Sequence, residues 1–248
     1  MFGVLAYVKF YYTHMYVAHV KLHHKLVATY EDTNTSRLNE SLYQYLARAI
    51  PGGMAAVWRY KSDSKSKSWF ENEMIKHLFY SAALFSVLTL AFNLRASLFS
   101  LFQGVLCMVM IEMVNYIEHY GLERKKDSNG NYESVNIRHS WNAPQVITNF
   151  MLFKLQRHSD HHANVYKPYQ ILESLPESPE LPHGYSASII LATVPSQWYL
   201  IANPLAEAAN KNLKVSSNQL REVNQRAMKV LIPFFSFVTL STLAAFYV

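Results

Sequence analysis

The chain has 248 residues; half of them are apolar and 14% aromatic, but only 16% are charged, against about 25% in an ordinary soluble domain. A single cysteine, Cys107, excludes a disulfide framework and a thiolate cage, so any metal must be held by nitrogen and oxygen. The net charge of +6 sits beside apolar runs and in no nucleic-acid-binding motif, which points to a lipid bilayer and not to nucleic acid as the partner.

Residues 1–20 are apolar and aromatic with one lysine and predict a membrane helix. Residues 19–50 predict a polar, helical, cytosol-facing stretch, broken at Pro51-Gly52-Gly53. Residues 59–68, rich in lysine and serine, predict a solvated linker on the cytosolic side. Residues 77–93 and 96–118 predict a membrane hairpin turning at Asn93-Leu94-Arg95, whose two ends share the side carrying Lys65, Lys67 and Arg124-Lys125-Lys126. Residues 123–134 predict a polar loop with an Asn129-Gly130 turn. Residues 137–155 predict an interfacial helix, and the prolines at 168, 176, 179 and 182 an extended cap. Residues 186–201, interrupted by Pro195, predict a segment lying in the interface. Residues 210–228 predict a polar helical link, and 229–248 a last apolar segment. The fold class expected is all-α, a helical integral membrane protein with a cytosolic, histidine-rich cap. Residues 1–205 would form the main domain and 206–248 the link and C-terminal apolar helix.

Three stretches carry the chemistry. In Leu155–Ala163, His158, His161 and His162 stand at i, i+3 and i+4 and share one helical face. Three converging imidazoles hold a transition metal, although imidazole suits zinc, copper, iron and nickel alike. Asp160, lying between them, could orient a ring by accepting its other N–H. His19 and His23 share a face at i, i+4, with His24 rotated by about 100° and so available to a second metal. Glu112, Asn115, Glu118 and His119 line one face at the end of the second apolar run, where ionisable groups are costly and mark function. Seven histidines in three elements, each near a membrane boundary, predict a metal site. His77 and His183 stand alone and are expected to be structural.

NYIEHYGL (115–122), HSWN (139–142) and LQRHSDHHA (155–163), with Tyr169-Gln170, Leu181-Pro182 and Gly184-Tyr185, closely resemble the integral-membrane alkane 1-monooxygenases of the membrane fatty acid desaturase and hydroxylase superfamily. The resemblance runs from about residue 16 to residue 205. It implies a non-haem di-iron hydroxylase acting on the terminal methyl of an alkane or alkyl chain, with electrons from a rubredoxin-type carrier and its reductase. It further implies that His19, His23, His24, His119, His158, His161 and His162 are iron ligands on cytosolic helix ends of a bacterial inner membrane or endoplasmic reticulum protein. Glu118 and Asp160 flank these ligands as candidates to support them. A fatty-acyl desaturase or hydroxylase with the same boxes is the alternative within enzymes, and a non-catalytic homologue the alternative outside them. Two departures stand out. The box at Ala18–His24 keeps its histidines but not the family's flanking glutamate, asparagine and glycine. The family's earlier His-Glu-x-x-His box is absent, which leads to the expectation that the sequence is truncated at its N-terminus.

Overall fold

In the computed structural model, which describes residues 7–62 and 72–246, the chain is built of helices, and two isolated bridges, Lys126 with Tyr132 and Asn142 with Glu180, are the β pairing among the described residues. Among the described residues, three helices are long and apolar enough to cross a membrane: Met74–Ala91, Leu94–His119 and Ser217–Ala245. The chain divides into two compact units, residues 1–35 with 43–115 and residues 36–42 with 116–248.

In the first unit, α1 (Met15–Val17) runs into a π-helical turn (Ala18–His23) and then α2 (His24–Leu26). A continuous membrane helix over 1–20 is not what the described part of that stretch forms; residues 1–6 lie outside the described residues. Tyr11 takes a left-handed backbone (φ 54°), and the chain folds back with Tyr12 N–H bonded to Tyr7 O at 3.1 Å. The apolar residues here serve the protein's own interior instead of lipid: Tyr12, Met15, Val17 and Ala18 are buried with Val57 and Met74. Helix α3 (Leu42–Ser62) runs straight through Pro51, where a break was expected. The proline removes one N–H but not the packing of the helix, and Gly52 brings its backbone close to Thr33, whose Cγ2 would lie 3.2 Å from an added Cβ. The lysine- and serine-rich stretch is helical up to residue 62, and its remainder falls outside the described residues.

The hairpin forms as expected, from α4 (Glu73–Ala91) and α5 (Leu94–His119). Asn93 caps α5 by accepting the Ala96 N–H at 3.0 Å, and the Thr89 and Ser97 hydroxyls meet at 2.6 Å. Glu112, buried in α5, accepts the hydroxyls of Tyr12 at 2.5 Å and Tyr45 at 2.8 Å and the Asn115 amide at 3.3 Å. Its two oxygens, buried in an apolar span, are therefore met by three polar partners. At Gly104 the folded-back segment crosses α5 so closely that a Cβ would lie 2.6 Å from Tyr11 Cδ2 and 3.1 Å from the Phe10 carbonyl. Gly104→Ala is expected to destabilise the protein by about 1–3 kcal/mol through overpacking. Gly53→Ala, in open space on α3, should stabilise by about 0.5–1 kcal/mol through helix propensity. Thermal melting in detergent compares the two, and equal shifts would deny the close crossing.

In the second unit, α5 stops where Gly121 adopts φ +67°, the left-handed conformation that ends helices cheaply only at glycine. Gly121 N–H bonds Ser36 O at 3.0 Å. Ser36 Oγ donates to Tyr116 O at 2.6 Å, and the Tyr116 hydroxyl donates to Glu40 O at 2.7 Å. The 123–134 loop turns at Gly130 (φ +83°), with Asp127 Oδ1 accepting the Asn129 and Asn131 N–H groups. Residues 137–155, expected as a helix, are helical only in α6 (Val146–Met151); the buried Ser140, Trp141 and Asn142 stand before it, the Trp141 and Asn142 N–H groups bonded to Glu118 O and Pro179 O. After α7 (His158–Ala163) come α8 (Tyr185–Ala192) and α9 (Pro195–Asn210). Leu191, Ala192, Trp198, Ile201 and Ala202 are at most 1% exposed, whereas Val194 and Leu200 are 38% and 47% exposed, so one face of 186–201 packs inside the protein. The polar link and last apolar segment join as one helix, α10 (Ser217–Phe246), which continues through Pro233.

Candidate metal centre

The second unit places Glu118 and His119 in the last turn of α5, and the HSWN stretch fixes that turn in place. Trp141 N–H donates to Glu118 O at 2.8 Å and Trp141 Nε1–H to Tyr120 O at 2.9 Å. Tyr185 holds Trp141 in turn, its hydroxyl donating to Trp141 O at 2.7 Å. The His139 carbonyl accepts His119 Nδ1–H at 3.2 Å, with Ser140 Oγ at 3.4 Å from the same nitrogen. That bond assigns the proton to Nδ1 and leaves Nε2 with a lone pair. The side chain of His139 is otherwise engaged: Nδ1 accepts Asn136 N–H at 3.0 Å, and Nε2 lies 3.4 Å from Glu133. Burial holds its pKa below the ordinary imidazole value although Glu133 opposes the shift. Asn142 completes the stretch by accepting Ser159 N–H at 2.9 Å, which pins the start of α7.

Three buried imidazoles meet at that junction. His158 Nε2 lies 3.2 Å from His119 Nε2 and 3.0 Å from His162 Nε2, and ring centroids of the three are 4.5–5.0 Å apart. His158 and His162 share a face at i, i+4 as expected. His161 is less buried, its ring 5.6 Å from His158 and 5.5 Å from His162. Nε2 of His119 carries a lone pair, and a cation among three such nitrogens would satisfy them together, so the donor set fits a borderline transition metal. Glu118 Oε2 lies 3.3 Å from His158 Nε2, on the cluster side of that ring. Asp160 does not take an imidazole N–H: it accepts Lys167 Nζ at 2.7 Å, Glu173 N–H at 2.8 Å and Asn164 Nδ2 at 2.8 Å. At the third position of the short α7, its carboxylate is turned to the chain that follows the box.

In the first unit, the π-helical turn extends the expected pairing of the other box. His24 N–H bonds back to His19 O, five residues away, so His19 and His24 come onto one side. Their ring centroids are 4.6 Å apart, and each offers a ligand atom within 4.8 Å of the other's. His19 therefore neighbours both: its ring also lies 5.1 Å from that of His23, the pair expected from the spacing. His23 is fully buried, with Nδ1 2.7 Å from Asp32 Oδ2. Burial alone would raise the Asp32 pKa, but the His23 ring and hydrogen bonds from Thr35 and Asn34 outweigh it and hold the carboxyl below its usual value. No spacing rule singles out an aspartate nine residues after a histidine, so Asp32 is not visible as a site residue in the sequence. His14, edge-on to Tyr12 at 4.8 Å, is held neutral, its pKa lowered to about 4 by burial and then by His77.

The comparisons agree with this chemistry. The family profile described as fatty acid desaturase matches residues 1–190. Alkane 1-monooxygenase 1 of Pseudomonas aeruginosa is 37% identical over 210 residues, covering 82% of this chain and 55% of that protein. Alkane 1-monooxygenase 2 of the same organism is 39% identical over 197 residues, covering 77% and 52%. The alkane 1-monooxygenase of Ectopseudomonas oleovorans is 38% identical over 193 residues, covering 76% and 48%. The chain spans about half the length of the curated relatives it matches. With three apolar helices of membrane-crossing length among the described residues and histidine groups able to hold a metal, the chain belongs to the fatty acid desaturase family.

Proposed function

We propose that the chain acts as a membrane non-haem di-iron monooxygenase hydroxylating the terminal methyl of an alkane or alkyl chain. Residues 1–205 would carry the chemistry and 206–248 add the last helix. The observation that supports it most is the convergence of His119, His158 and His162 through Nε2, beside boxes shared with proteins named alkane 1-monooxygenase. The seven histidines His19, His23, His24, His119, His158, His161 and His162 are proposed as ligands of two iron ions. When bound, the iron pair supplies dioxygen activation against a C–H bond, for which a redox metal is needed. The overall change is R–CH3 + O2 + 2 e− + 2 H+ giving R–CH2OH + H2O.

The protein's own residues do the rest. His139 O keeps the His119 proton on Nδ1, Asn142 and Trp141 hold the two histidine-bearing elements, and burial of His119, His158 and His162 keeps bulk water away. An apolar substrate would be favoured by about 0.8 kcal/mol for each CH2 removed from water. The basic run Arg124-Lys125-Lys126, five to seven residues beyond His119, supports a cytosolic face for the site. It also suits docking of an acidic rubredoxin-type carrier, supplied by its reductase. The test is chemical analysis: purified chain in lipid, with electron donor, oxygen and an alkane, should hold about two irons and yield the terminal alcohol. An alkene or in-chain alcohol would favour the desaturase-type alternative, and protein binding no iron would end the catalytic reading.

A further inference from the structure

We propose that Asp32 is the positioning residue of His23, fixing which ring nitrogen faces the metal and strengthening it as a donor. The inference rests on the reading that His23 is a metal ligand. The His23–Asp32 contact at 2.7 Å joins two side chains that are 0% and 3% exposed. A carboxylate oxygen can only accept, so Nδ1 carries the proton and Nε2 is left to coordinate. A carboxylate partner raises the basicity of a ligating imidazole more than a neutral carbonyl does. The His119 ring donates to a neutral group, the His139 carbonyl, at the longer distance of 3.2 Å.

The aspartate is itself built into place. Its Oδ2 also accepts Thr35 Oγ1 at 2.7 Å, and its Oδ1 accepts Asn34 N–H at 3.1 Å. Thr35 Oγ1 accepts Ala28 N–H at 2.8 Å, closing the loop behind the histidines. Helix α3 grips the same loop: Arg48 donates to Thr33 O at 2.9 Å and Thr35 O at 3.0 Å, and the Tyr45 hydroxyl lies 3.2 Å from Asn34 O. Asp32 therefore cannot swing away from His23 without giving up bonds that α3 enforces. The loop 28–35 is a scaffold that aims the Asp32 carboxylate at a histidine.

Anaerobic Fe(II) binding and Mössbauer spectra of the purified chain test this with four variants. Asp32→Asn is expected to weaken Fe(II) binding about 10–100-fold and to shift the iron spectrum. Asp32→Glu, which keeps the charge, should restore most of the affinity. Thr35→Val loosens the same loop but keeps the carboxylate on the ring, so it should lower the melting temperature and leave the spectrum unchanged. Wild-type binding and spectrum in Asp32→Asn, or the same spectral change in Thr35→Val, would overturn the role. Should Asp32→Asn not accumulate, Asp32→Glu against Thr35→Val decides: the first must alter the spectrum and the second must not. His23→Ala separates the parent reading, because unchanged iron in that variant shows that His23 is no ligand at all.

Discussion

Replacing His158 by alanine is expected to abolish iron binding and hydroxylation together. Its Nε2 is the shared neighbour of the His119 and His162 Nε2 atoms, at 3.2 and 3.0 Å. Removing it takes out the nitrogen around which the buried cluster of that unit is arranged, and the loss should exceed the roughly 10–100-fold that removal of a merely supporting partner costs. His77→Ala is the control. His77 is also buried but stands in α4 apart from the histidine boxes, so that variant should keep most of its iron and turnover. Metal analysis of the two proteins, followed by product yield, makes the comparison. Similar iron in both variants would mean that burial and not ligation explains the cluster.

Trp141→Ala is expected to give the largest loss of stability. The side chain is 2% exposed, its indole N–H bonds Tyr120 O, its backbone N–H bonds Glu118 O, and Tyr185 is anchored on its carbonyl. Truncating a buried tryptophan costs about 3–5 kcal/mol from the cavity it leaves, a large share of the 5–15 kcal/mol that usually separates folded from unfolded chains. Trp141→Phe isolates the polar part: most of the volume stays, but the Tyr120 carbonyl loses its donor, for about 1–3 kcal/mol. Melting in detergent should rank wild type above Trp141→Phe above Trp141→Ala. Iron content should fall in the same order, since the loop that Trp141 anchors also carries the His139 carbonyl that orients His119. A Trp141→Ala protein melting like wild type would mean that the loop is held by other contacts.

The parts that sequence made visible share a property: one local pattern determines them. The α4–α5 hairpin follows from two apolar runs separated by Asn93, a residue that caps helices. The loop at Asn129-Gly130 follows from turn chemistry. His158 and His162 meet because four residues bring an α-helix round by about one turn. What stayed hidden depends on partners far along the chain. Tyr12 and Met15 look lipid-facing by hydropathy, yet they pack against Val57 and Met74, and no hydropathy scale distinguishes lipid from protein as the cover. Pro51 looks like a stop, but α3 is held on both sides of it by Tyr45, Arg48 and Val57. Trp198 and Ile201 look interfacial beside Pro195 and turn out to be interior. Asp32 is ordinary by position and becomes significant only when the loop closes on His23.

The π-helical turn over Ala18–His23 has a consequence for which changes evolution can make there. His19 and His24 come onto one side because five peptide units, not four, lie within one loop of the coil. The count of residues between them is therefore under stricter control than their chemistry, and the departures at Ala18, Val20 and Leu22 from the family's usual flanking residues leave the meeting of the rings intact. Shortening the interval by a single amino acid would instead swing one imidazole about 100° around the axis. Substitutions in this stretch are cheap and deletions ruinous, so lineages that keep the chemistry should vary in spelling here but never in length.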